Sequence, residues 1–160
     1  MANFTWINNN VPNNLTVKQV YGIAFFDDGR ILLRIENNKY KLTGGKPESN
    51  ETYEETLIRE YIEELNIELE QCYYLGYLLV EENGEKYAQV RMIAKIKKIN
   101  EKRPDLDTGK IYDRKMVNAS NVKKYLKYSD KAGNLMIDDA IHLANNKYNF
   151  NELSINEQII

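Results

Sequence analysis

The chain has one cysteine, one histidine, one tryptophan and three prolines in 160 residues. With Cys72 alone, no internal disulfide and no thiolate-rich metal site can form; the residue reads as a small buried hydrophobe near the start of a strand, in a protein suited to the reducing cytoplasm. The sole histidine, His142, lies beside Ala140, Ile141 and Ala144 in a C-terminal helical pattern and reads as structural or exposed. No nucleophile-plus-base pattern of the serine or cysteine hydrolase kind is left. No run approaches the eighteen or so apolar residues of a membrane span, and MANFTWINNNVPNNLT has neither the basic start nor the apolar middle of a secretion signal. Residues 1–16 read instead as a polar arm. No repeat and no Pro- or Gly-rich linker divides the rest, and a hydrophobic content of 42% suits one globular domain over residues 17–160.

What the chain does have is concentrated in GKPESNETYEETLIREYIEELNI, residues 45–67. In a helix Glu60, Glu63 and Glu64 stand at i, i+3 and i+4, so their carboxylates share one face within about one turn. Leu57, Ile58, Tyr61, Ile62 and Leu65 form a stripe on the opposite side, which packs against a sheet. Three adjacent carboxylates repel one another and any diphosphate unless a divalent cation neutralises them. Oxygen ligands without His or Cys favour a hard ion, Mg²⁺ first and Mn²⁺ second, over zinc. Lys41-Leu42-Thr43-Gly44-Gly45 reads as a strand end entering a tight loop, where backbone atoms approach a metal or phosphate without an intervening side chain. Arg59 either pairs with a carboxylate of the motif or touches phosphate.

Around the motif, Val20 to Phe26 and Ile31 to Ile35 read as strands joined by the turn Asp27-Asp28-Gly29-Arg30, with a short strand near Tyr40. Tyr73 to Val80 and Tyr87 to Ile96 flank an Asn83-Gly84 hairpin turn; in the second of these Val90, Met92, Ala94 and Ile96 alternate with polar residues. Tyr112 to Val117 supplies a further strand, followed by helices near Asn121 to Leu126 and Leu135 to Asn145. The pattern predicts an α/β (α+β) domain, a central mixed sheet with helices on both faces. The polar stretch from Lys97 to Lys110 is long enough for a functional loop.

Gly45, Glu51, Arg59, Glu60, Glu63 and Glu64 fall at the spacing G-x5-E-x7-R-E-x-x-E-E, which closely resembles the signature of the Nudix hydrolases. Six specified residues would coincide by chance in about one chain in 10⁵ of this length. The resemblance implies the Nudix α/β/α sandwich. It also implies a metal held by the Gly44 carbonyl with Glu60, Glu63 and Glu64, and a loop fixed to the helix by Arg59 and Glu51. It further implies Mg²⁺-dependent hydrolysis of a phosphoric anhydride, with Glu64 or Glu101 taking the proton of the attacking water. Glu101 stands where MutT-like members carry an additional acid; Asp105, Asp107 and Glu82 compete with it for that place. Two positions depart from the family pattern: Tyr61 replaces an aliphatic residue, and Asn66 replaces a glycine, for which asparagine is the next best left-handed helix cap.

The substrate class stays open between a nucleoside diphosphate linked to another group and a nucleoside triphosphate. The alternatives are an RNA 5′ end and a module that binds a nucleotide metabolite without turnover. The family's marker proline for ADP-ribose is absent near Glu82-Asn83-Gly84, and Tyr87 is displaced from the tyrosine of diadenosine polyphosphate hydrolases. Tyr21, Tyr40, Tyr74, Tyr77 and Tyr87 either stack on a base or fill the core and sheet surface. Net charge is −2, yet basic residues outnumber acids from Lys95 through Lys97, Lys98, Lys102, Arg103, Lys110, Arg114, Lys115, Lys123 and Lys124 to Lys127. That tract is either a solvated surface or a rim that draws in polyphosphate or an RNA 5′ end. A homodimer is among the assemblies the resemblance implies.

Overall fold

Asparagine and glycine punctuate the sheet, and β-branched and aromatic residues build it. The structure is a computed structural model that describes residues 1–127 and 130–160. In chain order its elements are β1 (Asn3–Ile7), β2 (Val17–Phe25), β3 (Ile31–Glu36), β4 (Lys39–Lys41), β5 (Thr43–Gly45), α1 (Tyr53–Leu65), β6 (Ile67–Glu82), β7 (Glu85–Ile99), β8 (Asp113–Val117), α2 (Val122–Leu126), α3 (Lys131–Lys147) and β9 (Gln158–Ile159). Among the described residues the strands form one sheet of order β1-β6-β7-β2-β3-β8-β9, with β4 on β3 and β5 on β2. β2 and β7 run parallel and the other pairs antiparallel, so the sheet is mixed.

Period-two alternation splits the core into two layers. Val20, Ala24, Leu32, Val90, Met92 and Ala94 face α1, whereas Ile23, Phe25, Ile31, Leu33 and Ile93 face α3. The α/β/α sandwich follows from that division. The Asn83-Gly84 turn has positive φ at both residues, 52° and 76°, the twist that joins long antiparallel strands. β2 and β3 pair only at Phe25 opposite Ile31 and then diverge; β5 takes over the pairing of β2, with Tyr21 opposite Gly44. This divergence opens the sheet beside the motif loop.

Four sequence boundaries need correction. The stretch read as a polar arm contains β1, because Trp6 lies against Gly76 and donates from Nε1 to Asp139 Oδ2 of α3 at 2.7 Å. β6 starts at Ile67, directly after the left-handed Asn66, and not at Tyr73. β7 extends to Ile99, since Glu68 stands opposite Lys98 and Glu70 opposite Lys95, and opposite charges across a ladder support pairing. α3 begins at Lys131 because Asp130 Oδ1 caps it by accepting from Gly133 N–H at 3.0 Å.

Candidate active site

α1 is fixed at both ends before any chemistry is considered. At its start Thr52 Oγ1 accepts from Glu55 N–H at 3.1 Å while Glu55 Oε1 accepts from Thr52 N–H at 3.0 Å, a reciprocal capping box. At its end Asn66 sits at φ 52° and ψ 45°, so asparagine supplies the termination expected of it. Arg114 Nη1 donates to Leu65 O at 3.0 Å and Arg103 Nη2 to Ile62 O at 3.3 Å, placing cations against the negative end of the helix. Leu57, Tyr61 and Leu65 are buried. The Tyr61 hydroxyl donates to Gly22 O on β2 at 3.1 Å, and a Cβ on Gly22 would meet a Leu57 methyl at 2.8 Å. The tyrosine therefore docks the helix tightly on the sheet.

Docking turns the other face of α1 toward the glycine loop. Glu60 is buried, at 8% exposure, with its carboxylate resting on the Cα of Gly45; a Cβ there would lie 2.8 Å from Oε2 and closer to Cδ and Oε1. Arg59 binds the motif together: Nε and Nη2 grip Glu51 at 2.7 and 2.9 Å, Nη1 reaches Glu60 at 2.9 Å and Glu63 at 3.2 Å, and Nη2 also donates to Lys46 O at 3.1 Å. Of the two roles open to Arg59, the geometry has it pairing with carboxylates. Glu51 also accepts from Glu48 N–H at 2.7 Å and Thr56 Oγ1 at 3.0 Å. Arg59 above all holds the Glu51 carboxyl down at about 2. Burial pushes Glu60 up, against the pull of Arg59.

Glu64 faces a different cation. Arg34 Nη1 lies 3.4 Å from Glu64 Oε2, an ion pair too poorly aligned to count as a hydrogen bond, and among the described residues that oxygen has no hydrogen-bond partner. Burial pushes the Glu64 carboxyl up to about 8, with Arg34 opposing and the charges of Glu60, Asp105 and Glu36 adding. The loop after β7 therefore brings Asp105 to bear on Glu64 and Asp107 on Glu60. Glu101 is exposed, and its backbone carbonyl accepts from Asn66 Nδ2 at 2.9 Å at the end of α1. Glu82 is exposed near the β6–β7 turn, where the Tyr87 hydroxyl reaches it at 3.4 Å.

A cleft of about 360 Å³ opens where β2 and β3 diverge, its lining including Tyr21, Arg34, Tyr40, Lys41, Gln89 and Arg91. It adjoins the motif twice, through Arg34 beside Glu64 and through Tyr21 paired with Gly44. Tyr21 carries the Arg91 guanidinium at 4.8 Å from its ring centroid. Of the five tyrosines singled out, only Tyr21 and Tyr40 reach this cleft. Tyr77 is buried in the core, Tyr74 stacks on Tyr53 at 6.2 Å, and Tyr87 carries Lys18 over its ring at 4.3 Å.

A family model described as the NUDIX domain matches residues 17–132. The chain belongs to the Nudix family. The Bacillus subtilis pyrophosphohydrolase BsRppH has a similar structure, 22% identical, with 85% of this chain and 88% of that one covered at a TM-score of 0.66. A NUDIX hydrolase from Nitrosomonas europaea is 19% identical over 88% of this chain and 97% of its own, at 0.58. An Ap4A hydrolase from C. elegans is 17% identical over 81% and 99%, also at 0.58. At these identities the likeness is one of fold. No curated protein matches the chain.

Among the described residues no three His, Cys, Asp or Glu side chains converge into a ready cage for an ion. Arg59 occupies the space between Glu51, Glu60 and Glu63 of the Nudix motif, and Arg34 draws Glu64 aside. The donors nonetheless fit a hard divalent cation: they are all oxygen, and among the described residues Glu64 Oε2 is buried without a hydrogen bond.

Several residues escaped the sequence reading. Arg34 follows Leu32 on the α1-facing side of β3, and a charge at a core-facing position was the available signal. Arg103 and Arg114, counted in a basic rim, serve as helix-end donors. Lys95, Lys102, Lys110 and Lys123 are paired with Asp27, Asp113, Glu36 and Asp138. Cys72 is half-buried within β6, and His142 is exposed on α3. Among the described residues no helix is long and apolar enough to cross a membrane.

Proposed function

We propose that this chain is a single-domain cytoplasmic pyrophosphohydrolase. It splits a phosphoric anhydride in a nucleoside diphosphate linked to a second moiety, or in a nucleoside triphosphate, with Mg²⁺ as cofactor and Mn²⁺ as substitute. One observation carries the reading: Arg59 ties Glu51, Glu60 and Glu63 into one array against the Gly44-Gly45 strand, with Glu64 beside it at the mouth of a cationic cleft. Glu60, Glu63, Glu64 and the Gly44 carbonyl would hold the cation. A cation held there supplies charge against the diphosphate oxygens and makes water acidic enough to attack near neutral pH.

The remaining work falls to the protein. Water oxygen bonds to phosphorus, the P–O–P link breaks with its electron pair leaving on the departing phosphate, and a carboxylate takes the proton. Glu64, Glu101 and the loop aspartates Asp105 and Asp107 are the candidate bases; Glu101 and Asp107 are both exposed, and Asp105 is buried. Glu51 keeps its charge throughout and holds Arg59 off the substrate.

The test is a panel of nucleotide sugars, dinucleoside polyphosphates, nucleoside triphosphates and 5′-triphosphate RNA with Mg²⁺ or Mn²⁺, with products identified. Glu63→Gln and Glu64→Gln are expected to lower turnover by about 10²–10⁴-fold without unfolding the protein. Near-normal turnover in both variants, or an inert wild type, would overturn the reading. Asp107→Asn set against Glu101→Gln assigns the loop acid.

A further inference from the structure

The cleft beside Arg34 does not end at Tyr40. On the far side of a wall made by Tyr40, Lys41 and Leu126 lies a second hollow of about 380 Å³, completed by Lys39, Tyr125 and Lys127. Each hollow falls near the lower end of the range for small-molecule sites, roughly 300–1,000 Å³, and so suits one nucleotide unit. Among the described residues neither lining contains an aspartate or a glutamate, although the whole chain has a net charge of −2. Among the described residues, cations and aromatic rings line the outer hollow together with Leu126.

The outer hollow has a built aromatic wall. Tyr40 and Tyr125 meet with ring centroids 4.6 Å apart and planes at 52°, so they form a corner rather than a closed stack. Lys115 Nζ braces both rings, 5.5 Å from one centroid and 4.5 Å from the other, and bonds the Tyr125 hydroxyl at 3.0 Å. That hydroxyl also donates to Glu157 Oε1. Glu157 is in turn held by Asn118 N–H at 3.0 Å and Asn121 Nδ2 at 3.2 Å. A ring fixed from behind offers its face at little entropic cost, which is what stacking on a nucleobase needs. Lys39 and Lys127 are exposed, and no carboxylate lies within ion-pair distance of either among the described residues. Their charge is available for phosphate.

We propose that the outer hollow is a subsite for a second nucleotide, so that the preferred substrate carries two nucleotide units, one on each side of the Tyr40 wall. The inference rests on the hydrolytic reading above and narrows its substrate class. Two sources share this chemistry: a dinucleoside polyphosphate, whose units are bridged by the anhydride chain, and the first two nucleotides of a 5′-triphosphorylated RNA.

The test compares diadenosine tetraphosphate, triphosphorylated ApA and ATP as substrates for the wild type and for Lys39→Gln/Lys127→Asn. Both lysines are exposed, and asparagine tolerates the left-handed φ of 56° at residue 127. The wild type is expected to prefer at least one two-nucleotide compound over ATP in kcat/KM. In the double variant that preference drops about tenfold or more through KM, while ATP stays within about twofold. Tyr125→Leu is expected to repeat the pattern. A loss confined to diadenosine tetraphosphate names the bridged source, and one confined to triphosphorylated ApA names the RNA source. Equal loss on ATP, or no change on any compound, overturns the subsite. Should the wild type hydrolyse none of the three, calorimetric binding of the same compounds decides the subsite by the same criterion, while the nucleotide-sugar arm of the panel above decides the hydrolytic reading separately.

Discussion

Gly45→Ala isolates the contact between the glycine strand and the carboxylate helix. The added Cβ would lie 2.8 Å from Glu60 Oε2 and nearer still to Cδ and Oε1, whereas comfortable contact begins at about 3.5 Å, so the carboxylate must retreat by roughly 1 Å. Nothing in the backbone resists, because φ at Gly45 is not positive and the clashing atoms are the far end of a flexible side chain. The retreat pulls Glu60 from Arg59 Nη1, now at 2.9 Å, and from the position it would hold toward a cation. A displacement of this size at a reacting centre costs about 10²-fold in rate. Overpacking costs about 1–3 kcal/mol, which for a domain of this length lowers the melting temperature by roughly 2–12 °C. Steady-state kinetics at saturating Mg²⁺, alongside a thermal melt, read both effects. The expected result is kcat down about 10²-fold in a protein that still melts cooperatively. Turnover within threefold of wild type would refute the role given to the Glu60–Gly45 contact.

Three further outcomes follow from other contacts. Tyr61→Phe removes the hydroxyl that donates to Gly22 O and is expected to cost about 1 kcal/mol, or about 2–4 °C in a melt, with kcat unchanged. Glu51→Gln takes away the charge that anchors Arg59 and is expected to lower kcat at least about tenfold with little change in KM, read by initial rates. Burial pushes the Cys72 thiol up to about 12, so its thiolate is scarce at pH 8 and labelling by a disulfide reagent is expected to run at least about tenfold slower than for a free thiol. Rapid labelling of the folded protein would contradict the burial of that thiol.

The layers of the fold were legible because they depend on local periodicity. The β7 alternation from Val90 to Ile96, the Asn83-Gly84 turn and the apolar stripe on α1 each repeat at the spacing of their element. Glu51 through Glu64 were legible for the same reason, since one helix and its preceding loop contain them all. What stayed hidden depends on distant segments. β1 is held by Trp6 reaching Asp139, a contact across 133 residues, and its polar neighbours masked it. Arg34 meets Glu64 only after β3 is laid beside α1, and Arg114 finds Leu65 O only once β8 is in place. The loop acids were named as competitors, but strand length alone could not rank them. The true end of β7 at Ile99 shifts the loop, and Asp105 and Asp107 then bear on the motif.

The central claim is that the carboxylates of α1 hold a divalent cation. Titration of the protein with Mn²⁺, followed by the loss of the free-ion electron paramagnetic resonance signal, measures it without reference to any substrate. The account predicts saturable binding by the wild type and at least about tenfold weaker binding by each of Glu60→Gln, Glu63→Gln and Glu64→Gln. Equal affinity across all four proteins, or no binding by the wild type, would contradict it.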